Sequence, residues 1–281
     1  MSPTYIGLVR LTFRELWARW VTLGLFIVST LAWLMVTFAL NIDVVEGSLA
    51  GFRVFGDDVM PTDVDTDPSD LLNTIVVTIQ AAVAGAAYWV AALLGLFATG
   101  PILASSLEPG RSGLLFSKPA KRSTILNAHT TGVVLVAALI TVYLLGMVFL
   151  VMSLKSGIWN FRFLLAIPLV VTMFSVMYSV MVLVTVISRS SALSLIITYG
   201  LIFSSIVLAA KDEIAPQITL PWRNVYLGFY HVIPKFAEVT RTVAQLAGIE
   251  PVNNLYPLAS SVAFGLFVYT VAVFVLKRQD L

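Results

Sequence analysis

Cysteine is absent from the chain, which removes disulfides, thiolate metal sites and thiol nucleophiles together. Histidine occurs only twice, as His129 and His231, and neither belongs to a His-Glu-x-x-His pattern. No Gly-x-x-x-x-Gly-Lys-Ser/Thr phosphate loop and no Gly-x-Ser-x-Gly nucleophile elbow is present, which argues against ATP or ester hydrolysis by this chain itself. No set of carboxylates, histidines and an activated nucleophile converges, so no catalytic residue and no metal ligand is assigned and the chain is not read as an enzyme. Charge is scarce as well. Only 11% of the 281 residues are Asp, Glu, Lys or Arg, against 59% hydrophobic, too little for a soluble domain.

What is present instead is a set of six uncharged runs, at 20–40, 71–103, 128–152, 163–187, 192–210 and 257–276. A hydrocarbon core about 30 Å thick needs roughly 20 apolar residues in helical conformation. Helices satisfy every backbone group within such single runs. The sequence therefore predicts an all-α integral membrane protein with six transmembrane helices. The run 71–103 is longer than one perpendicular crossing, so it is expected to tilt, kink or begin as an interfacial turn near Leu71.

Six spans put both termini on one side. That side carries ten basic residues (Arg10, Arg14, Arg19, Arg111, Lys118, Lys121, Arg122, Arg189, Lys277, Arg278) against Glu15, Glu108 and Asp280, a net +7. The other side carries seven basic and twelve acidic residues, a net −5. By the positive-inside rule both termini are cytoplasmic, and His129 and His231 fall on opposite sides, where they cannot share a metal. The extracytoplasmic segments are then 41–70 and 211–256.

Ahead of the first span, Ile6, Val9, Phe13, Leu16, Trp17 and Trp20 recur at helical spacing, with Arg10, Arg14, Glu15 and Arg19 among them. This predicts an N-terminal amphipathic interfacial helix over 4–19, touching lipid, a cytoplasmic partner, or both. Segment 41–70 carries eight acids against Arg53 alone. Its Asp63-Val64-Asp65-Thr66-Asp67 string alternates carboxylates as a calcium loop does but lacks the following Gly and distal Glu, so it is read as a solvated loop. The second span is crowded with small residues, including Ala84, Ala87, Ala91, Gly95 and Gly100. These permit close approach of a helix from this chain or from a second copy.

The segment 105–123 combines a Pro109-Gly110 break, a Leu114-Leu115-Phe116 ridge and a Lys118-Pro119-Ala120-Lys121-Arg122 cluster. That pattern suits a short helix and turn docked on another protein, or an ordinary basic inside loop. Residues 188–191 make a tight helical hairpin between spans four and five. In 211–256, Pro234 to Ala247 followed by Gly248 predicts a short outer helix capping the extracytoplasmic mouth. The membrane interior holds hydroxyls and no charge, which weighs against ion-coupled transport. A permease energised by a cytoplasmic partner, or a membrane anchor, remains.

Glu108 to Arg122, read as Glu-x5-Leu-Leu-x-Ser-x-Pro-x-x-Arg, resembles the cytoplasmic signature between helices two and three of ABC-2 type transporter permeases. The basic interfacial helix with Arg14 and Glu15, the six spans, the outer helix before span six and the Lys277-Arg278-Gln279-Asp280-Leu281 tail agree with it. The organisation is most similar to single-domain bacterial permeases of the nitrous-oxide-reductase maturation and gliding-motility type.

The resemblance implies a type V exporter-like fold in a bacterial inner membrane. It implies a second permease copy, identical or paralogous, and a separate cytoplasmic ABC ATPase that holds the ATP and magnesium; this chain carries no cofactor. It makes 105–123 a coupling loop in which Glu108, Gly110, Arg111, Leu114, Leu115, Phe116, Lys118, Pro119, Lys121 and Arg122 meet the ATPase, with Arg10, Arg14, Glu15 and Arg19 nearby. Arg111 and Ser112 depart from a Gly-Thr pair common in the family, and the acidic first outer loop is unusually long. The alternative is a non-transporting anchor whose segments 41–70 and 211–256 grip an extracytoplasmic protein. Lipid is a partner under either reading, and nucleic acid under neither.

Overall fold

A computed structural model of the chain describes residues 3–17, 20–45, 48–58, 68–106, 121–248, 251–252 and 254–279. Helix α1 (Pro3–Trp17) leads to α2 (Trp20–Ala39), strands β1 (Leu40–Val45), β2 (Ser48–Val54) and β3 (Asp57–Asp58), and the long α3 (Pro68–Ser106). Helix α4 (Arg122–Ser156) and a 3-10 turn, Phe161–Leu165, precede α5 (Ala166–Ser188), α6 (Ser191–Ala209) and the single turn α7 (Lys211–Ile214). A second 3-10 turn at Ala215–Gln217, α8 (Trp222–Val232), α9 (Phe236–Ala247) and α10 (Tyr256–Arg278) complete the described chain.

Helices α2, α3, α4, α5 with its 3-10 turn, α6 and α10 are each long and apolar enough to cross a membrane. The protein is a multi-pass helical membrane protein. Several helices outrun their uncharged runs. Helix α4 begins at Arg122 and ends at Ser156 rather than spanning 128–152, because long basic side chains can sit on helix ends and reach polar surroundings.

Helix α5 is the core, with Met173, Met177, Tyr178, Met181 and Val182 fully buried. It packs against α3, α4, α6 and α10. The small residues of α3 serve this packing. A Cβ at Gly95 would come within 2.9 Å of the Phe174 ring, and one at Gly100 would meet the Met181 methyl at 2.5 Å. At these two glycines the close neighbour lies within the chain. Helix α2 is peripheral. Thr30 and Trp33 hydrogen-bond the Tyr143 hydroxyl of α4, both at 3.0 Å, while Leu31, Met35 and Phe38 stay exposed, as a lipid-facing side requires.

At 39 residues, α3 is about 58 Å long, nearly twice a hydrocarbon core. The excess is clothed by protein. The Tyr88 ring stacks on Phe236 with centroids 4.4 Å apart, and its hydroxyl donates to Phe236 O at 2.8 Å. From there α9 runs back along α3 until Asn160 Nδ2 joins Gln80 Oε1, at 2.9 Å, to Ala247 O, at 2.8 Å. Val239, Val243 and Ala247 are fully buried on the way. The helix expected at 234–247 thus forms and ends at Gly248. Its start lies inside the ends of its neighbours: Ala237 N–H donates to Ser205 of α6, one turn before Ala209.

Segment 41–70 corrects the strictly all-α, loop-only expectation. It carries a three-stranded antiparallel sheet in which Leu40 pairs with Val54, Val45 with Ser48, and Arg53 with Asp58. Alternation in Asn41-Ile42-Asp43-Val44 supplies the period of two. Phe55 and Gly56, with φ of 54° and 95°, make the left-handed two-residue turn that twisted hairpins favour.

Candidate functional site

Helix α1, the end of α10, the start of α4 and the α5–α6 hairpin meet on one face, here the terminal face. Helix α1 is clamped there along α4. Tyr5 OH hydrogen-bonds Thr131 Oγ1 at 2.7 Å, Leu16 is buried, and a Cβ at Gly132 would stand 2.9 Å from Thr12. Tyr5, Thr12 and Leu16 share one helical stripe, whereas Ile6, Leu11, Trp17, Arg10 and Arg14 are exposed. Of the amphipathic helix expected over 4–19, Pro3–Trp17 is described as helix, and one stripe of it is a contact with α4. Glu15 is half-buried and engaged within the fold. Arg19 lies outside the described residues.

Of the coupling segment, Glu108, Gly110, Arg111, Leu114, Leu115, Phe116, Lys118 and Pro119 also lie outside the described residues. Its flanks belong to helices. Ser105 and Ser106 form the last turn of α3, hydrogen-bonding back to Ile102 O and Leu103 O. Lys121 is the N-cap of α4, its carbonyl accepting from Thr124 N–H at 2.8 Å. Arg122 opens α4 and donates to the carbonyl of Gln279. Gln279 in turn donates through Nε2 to Val186 O at 3.0 Å. One residue pair thus fastens the start of α4 to the ends of α5 and α10. Tyr269 of α10 adds a bond to Asn127 Oδ1 at 2.8 Å.

The α5–α6 hairpin turns beside this junction. Arg189 takes the left-handed conformation at φ 54° and donates its N–H to Thr185 O at 2.8 Å. Ser190 caps α6 through Leu193 N–H, and Thr185 Oγ1 donates to Ser194 Oγ at 2.8 Å. A displacement at Arg122, the C-terminal flank of 107–120, therefore reaches α5 and α10 through the bonds of Gln279.

On the opposite, distal face sits a polar cluster that the sequence did not announce. Lys211 Nζ donates to Tyr230 OH at 2.9 Å, and Tyr230 OH donates to Glu238 Oε2 at 3.1 Å. Lys235 Nζ donates to Ser260 Oγ at 3.1 Å and lies 4.7 and 4.8 Å from the Tyr230 and Tyr256 ring centres, within cation–π range. His231 Nδ1 pairs with Tyr256 OH at 2.9 Å. Lys235 is only 4% exposed. Burial lowers its pKa, Glu238 pulls the other way, and Lys211 adds to the lowering. Lys211 itself is raised, chiefly by its bond to Tyr230. A cation at the first turn of α9 opposes the helix dipole, and Glu238 in that turn offsets it. These residues come from four helices and the turn before α9 with no common spacing, so no periodic signal exposes them.

Among the described residues, no three His, Cys, Asp or Glu side chains gather where a metal ion could sit. The fold and its junctions define a helical multi-pass membrane protein with a bonded terminal-face collar. No protein-family model matches the chain, and no curated protein matches it.

Proposed function

We propose that the chain is the membrane-spanning permease subunit of an export-type ABC transporter in a bacterial inner membrane. It pairs with a second permease copy and takes its energy from a separate cytoplasmic ATPase that binds ATP and magnesium. The collar carries this reading: the segment resembling a coupling loop is strung between α3 and Arg122, and Arg122 is bonded to the α10 tail, which is bonded to α5. A push delivered to Arg122 would reach the central helix through these two hydrogen bonds. The exposed Arg10 and Arg14 on α1 add a basic surface for the same partner, and the basic bias of the terminal face supports its cytoplasmic placement.

A second reading, a non-transporting anchor, is favoured by one observation. The distal face is built up with a sheet, α8 and α9, more structure than a loop requires. A detergent pulldown of the tagged chain with an ATPase assay separates the two. Under the permease reading an ATPase co-purifies with the wild type and is lost from a Glu108→Ala, Leu114→Asp variant. Recovery of extracytoplasmic or membrane subunits with no nucleotide-binding chain would replace it with the anchor reading.

A further inference from the structure

Among the described residues, a groove in the membrane body has a lining that differs from the apolar surface around it. It lies between α5 and α10 and has a volume of about 330 Å³, within the roughly 300–1,000 Å³ range of small-molecule sites. Thr172, Ser175 and Ser179 line one side at helical spacing, and Gly265, Leu266 and Tyr269 line the other at matching spacing. Gly265 makes the closest approach: a Cβ there would be 2.9 Å from Val176 Cγ2. Thr130 of α4 also lines the groove.

Three properties define what fits. No lining residue is charged, so an ionic head would enter without a counter-charge and be disfavoured. Hydroxyls are nevertheless concentrated there, and they are under-used. Ser175 and Ser179 each donate to their own helix, to Val171 O and Val176 O at 2.7 Å, which leaves oxygen lone pairs for an incoming donor. Thr130 Oγ1 is buried in the same lining, beside the Tyr269 hydroxyl. Finally, Leu266 on the rim is 65% exposed, so the groove reaches the lateral surface, where a bilayer would lie, and midway along both helices.

From this geometry we infer that the α5–α10 groove binds an amphiphile with an uncharged, hydroxyl-bearing head, of the diacylglycerol class, entering sideways from the bilayer. The head donates to the Thr172–Ser175–Ser179 side, while an acyl chain leaves past Leu266. That this ligand is also the transported substrate rests on the permease reading; the binding itself does not.

The test uses the purified full chain in phosphatidylcholine nanodiscs with a photoactivatable diacylglycerol, against phosphatidic acid carrying the same acyl chains. Saturable labelling of peptides covering 166–188 and 256–278 by the diacylglycerol alone is expected. It should fall at least about fivefold in a Thr172→Val, Ser175→Ala variant that has lost two hydroxyls. Leu266→Trp, which alters only the rim, should also block labelling and decides the matter if the double variant fails to fold. Equal labelling by both lipids, labelling indifferent to the variants, or cross-linking of α10 to a second copy in place of lipid would each overturn the site. Because no ATPase is present, lipid labelling with a failed pulldown would sink the permease reading and leave the site standing.

Discussion

Lys155, in the last turn of α4, donates through Nζ to the carbonyl of Leu40 at 2.7 Å and to that of Thr37. Its ammonium therefore caps the exposed carbonyls at the end of α2, where the helix dipole is negative and the chain turns into β1. One cation on a distant helix fixes how α2 hands over to the sheet.

Lys155→Met keeps the aliphatic stem and removes the cap. It should lower thermal stability in detergent by about 1–2 kcal/mol. Trypsin or chymotrypsin should cut faster near residues 40–58 while the α5 core stays protected. Unchanged cutting there would mean that the cap contributes nothing to the hairpin.

At Gly132 and Gly265 the neighbour is too close for a side chain. Gly132→Val should push α1 off α4, read as a change in fluorescence at Trp17 and loss of a Tyr5–Thr131 cysteine cross-link. Gly265→Val should separate α10 from α5 and cost about 1–3 kcal/mol by overpacking. Gly146, where an added Cβ would meet nothing within 4 Å, is the control: Gly146→Ala should be neutral or slightly stabilising.

Asn160 is the clasp between α3 and α9. Asn160→Ala leaves the fully buried Gln80 with no partner for Oε1 and frees the Ala247 carbonyl. A loss of about 1–3 kcal/mol is expected, with faster hydrogen exchange in 236–247. Asn160→Asp keeps the shape but cannot donate when ionised, so it should behave like the alanine variant at neutral pH.

The distal cluster predicts a rise and then a fall of stability in alkali. A lysine with a folded pKa below its ordinary 10.5 destabilises the fold while charged, so stability rises as pH climbs from the folded value of Lys235 toward 10.5. Lys211 has a raised pKa; its contribution is complete below 10.5 and is lost as pH passes its folded value. Tyr230, raised by burial, likewise loses its contribution once the unfolded phenol ionises, above 10. In Lys235→Met the rising limb should vanish while the falling limb remains. Melting scans across this range would show it, and an unchanged rising limb would assign it elsewhere.

Much of the fold was legible from where charge is missing. All six uncharged runs became helices, and the helix expected at 234–247 forms over Phe236–Ala247 and stops at Gly248 because a Pro just before it and a Gly just past its end mark it locally. The strands were missed because an acidic segment reads as solvated, while Ile42 and Val44 alternate over too few residues to outweigh that charge. The coupling segment was the most legible functional feature, yet only Lys121 and Arg122 of its assigned residues are described, and Arg122 bonds the tail of its own chain.

The sequence alone determined that the chain crosses a membrane and roughly where, since burial in lipid is decided residue by residue by transfer free energy, which is local. Tertiary structure decided what each helix faces. That α3 gives its glycines to Phe174 and Met181, that α9 clothes the surplus length of α3, and that Lys235 lies between two tyrosines all depend on residues far apart in the chain. Packing and hydrogen bonding act over a few ångströms of space, and no periodicity in the sequence encodes which distant residues will be brought within that reach.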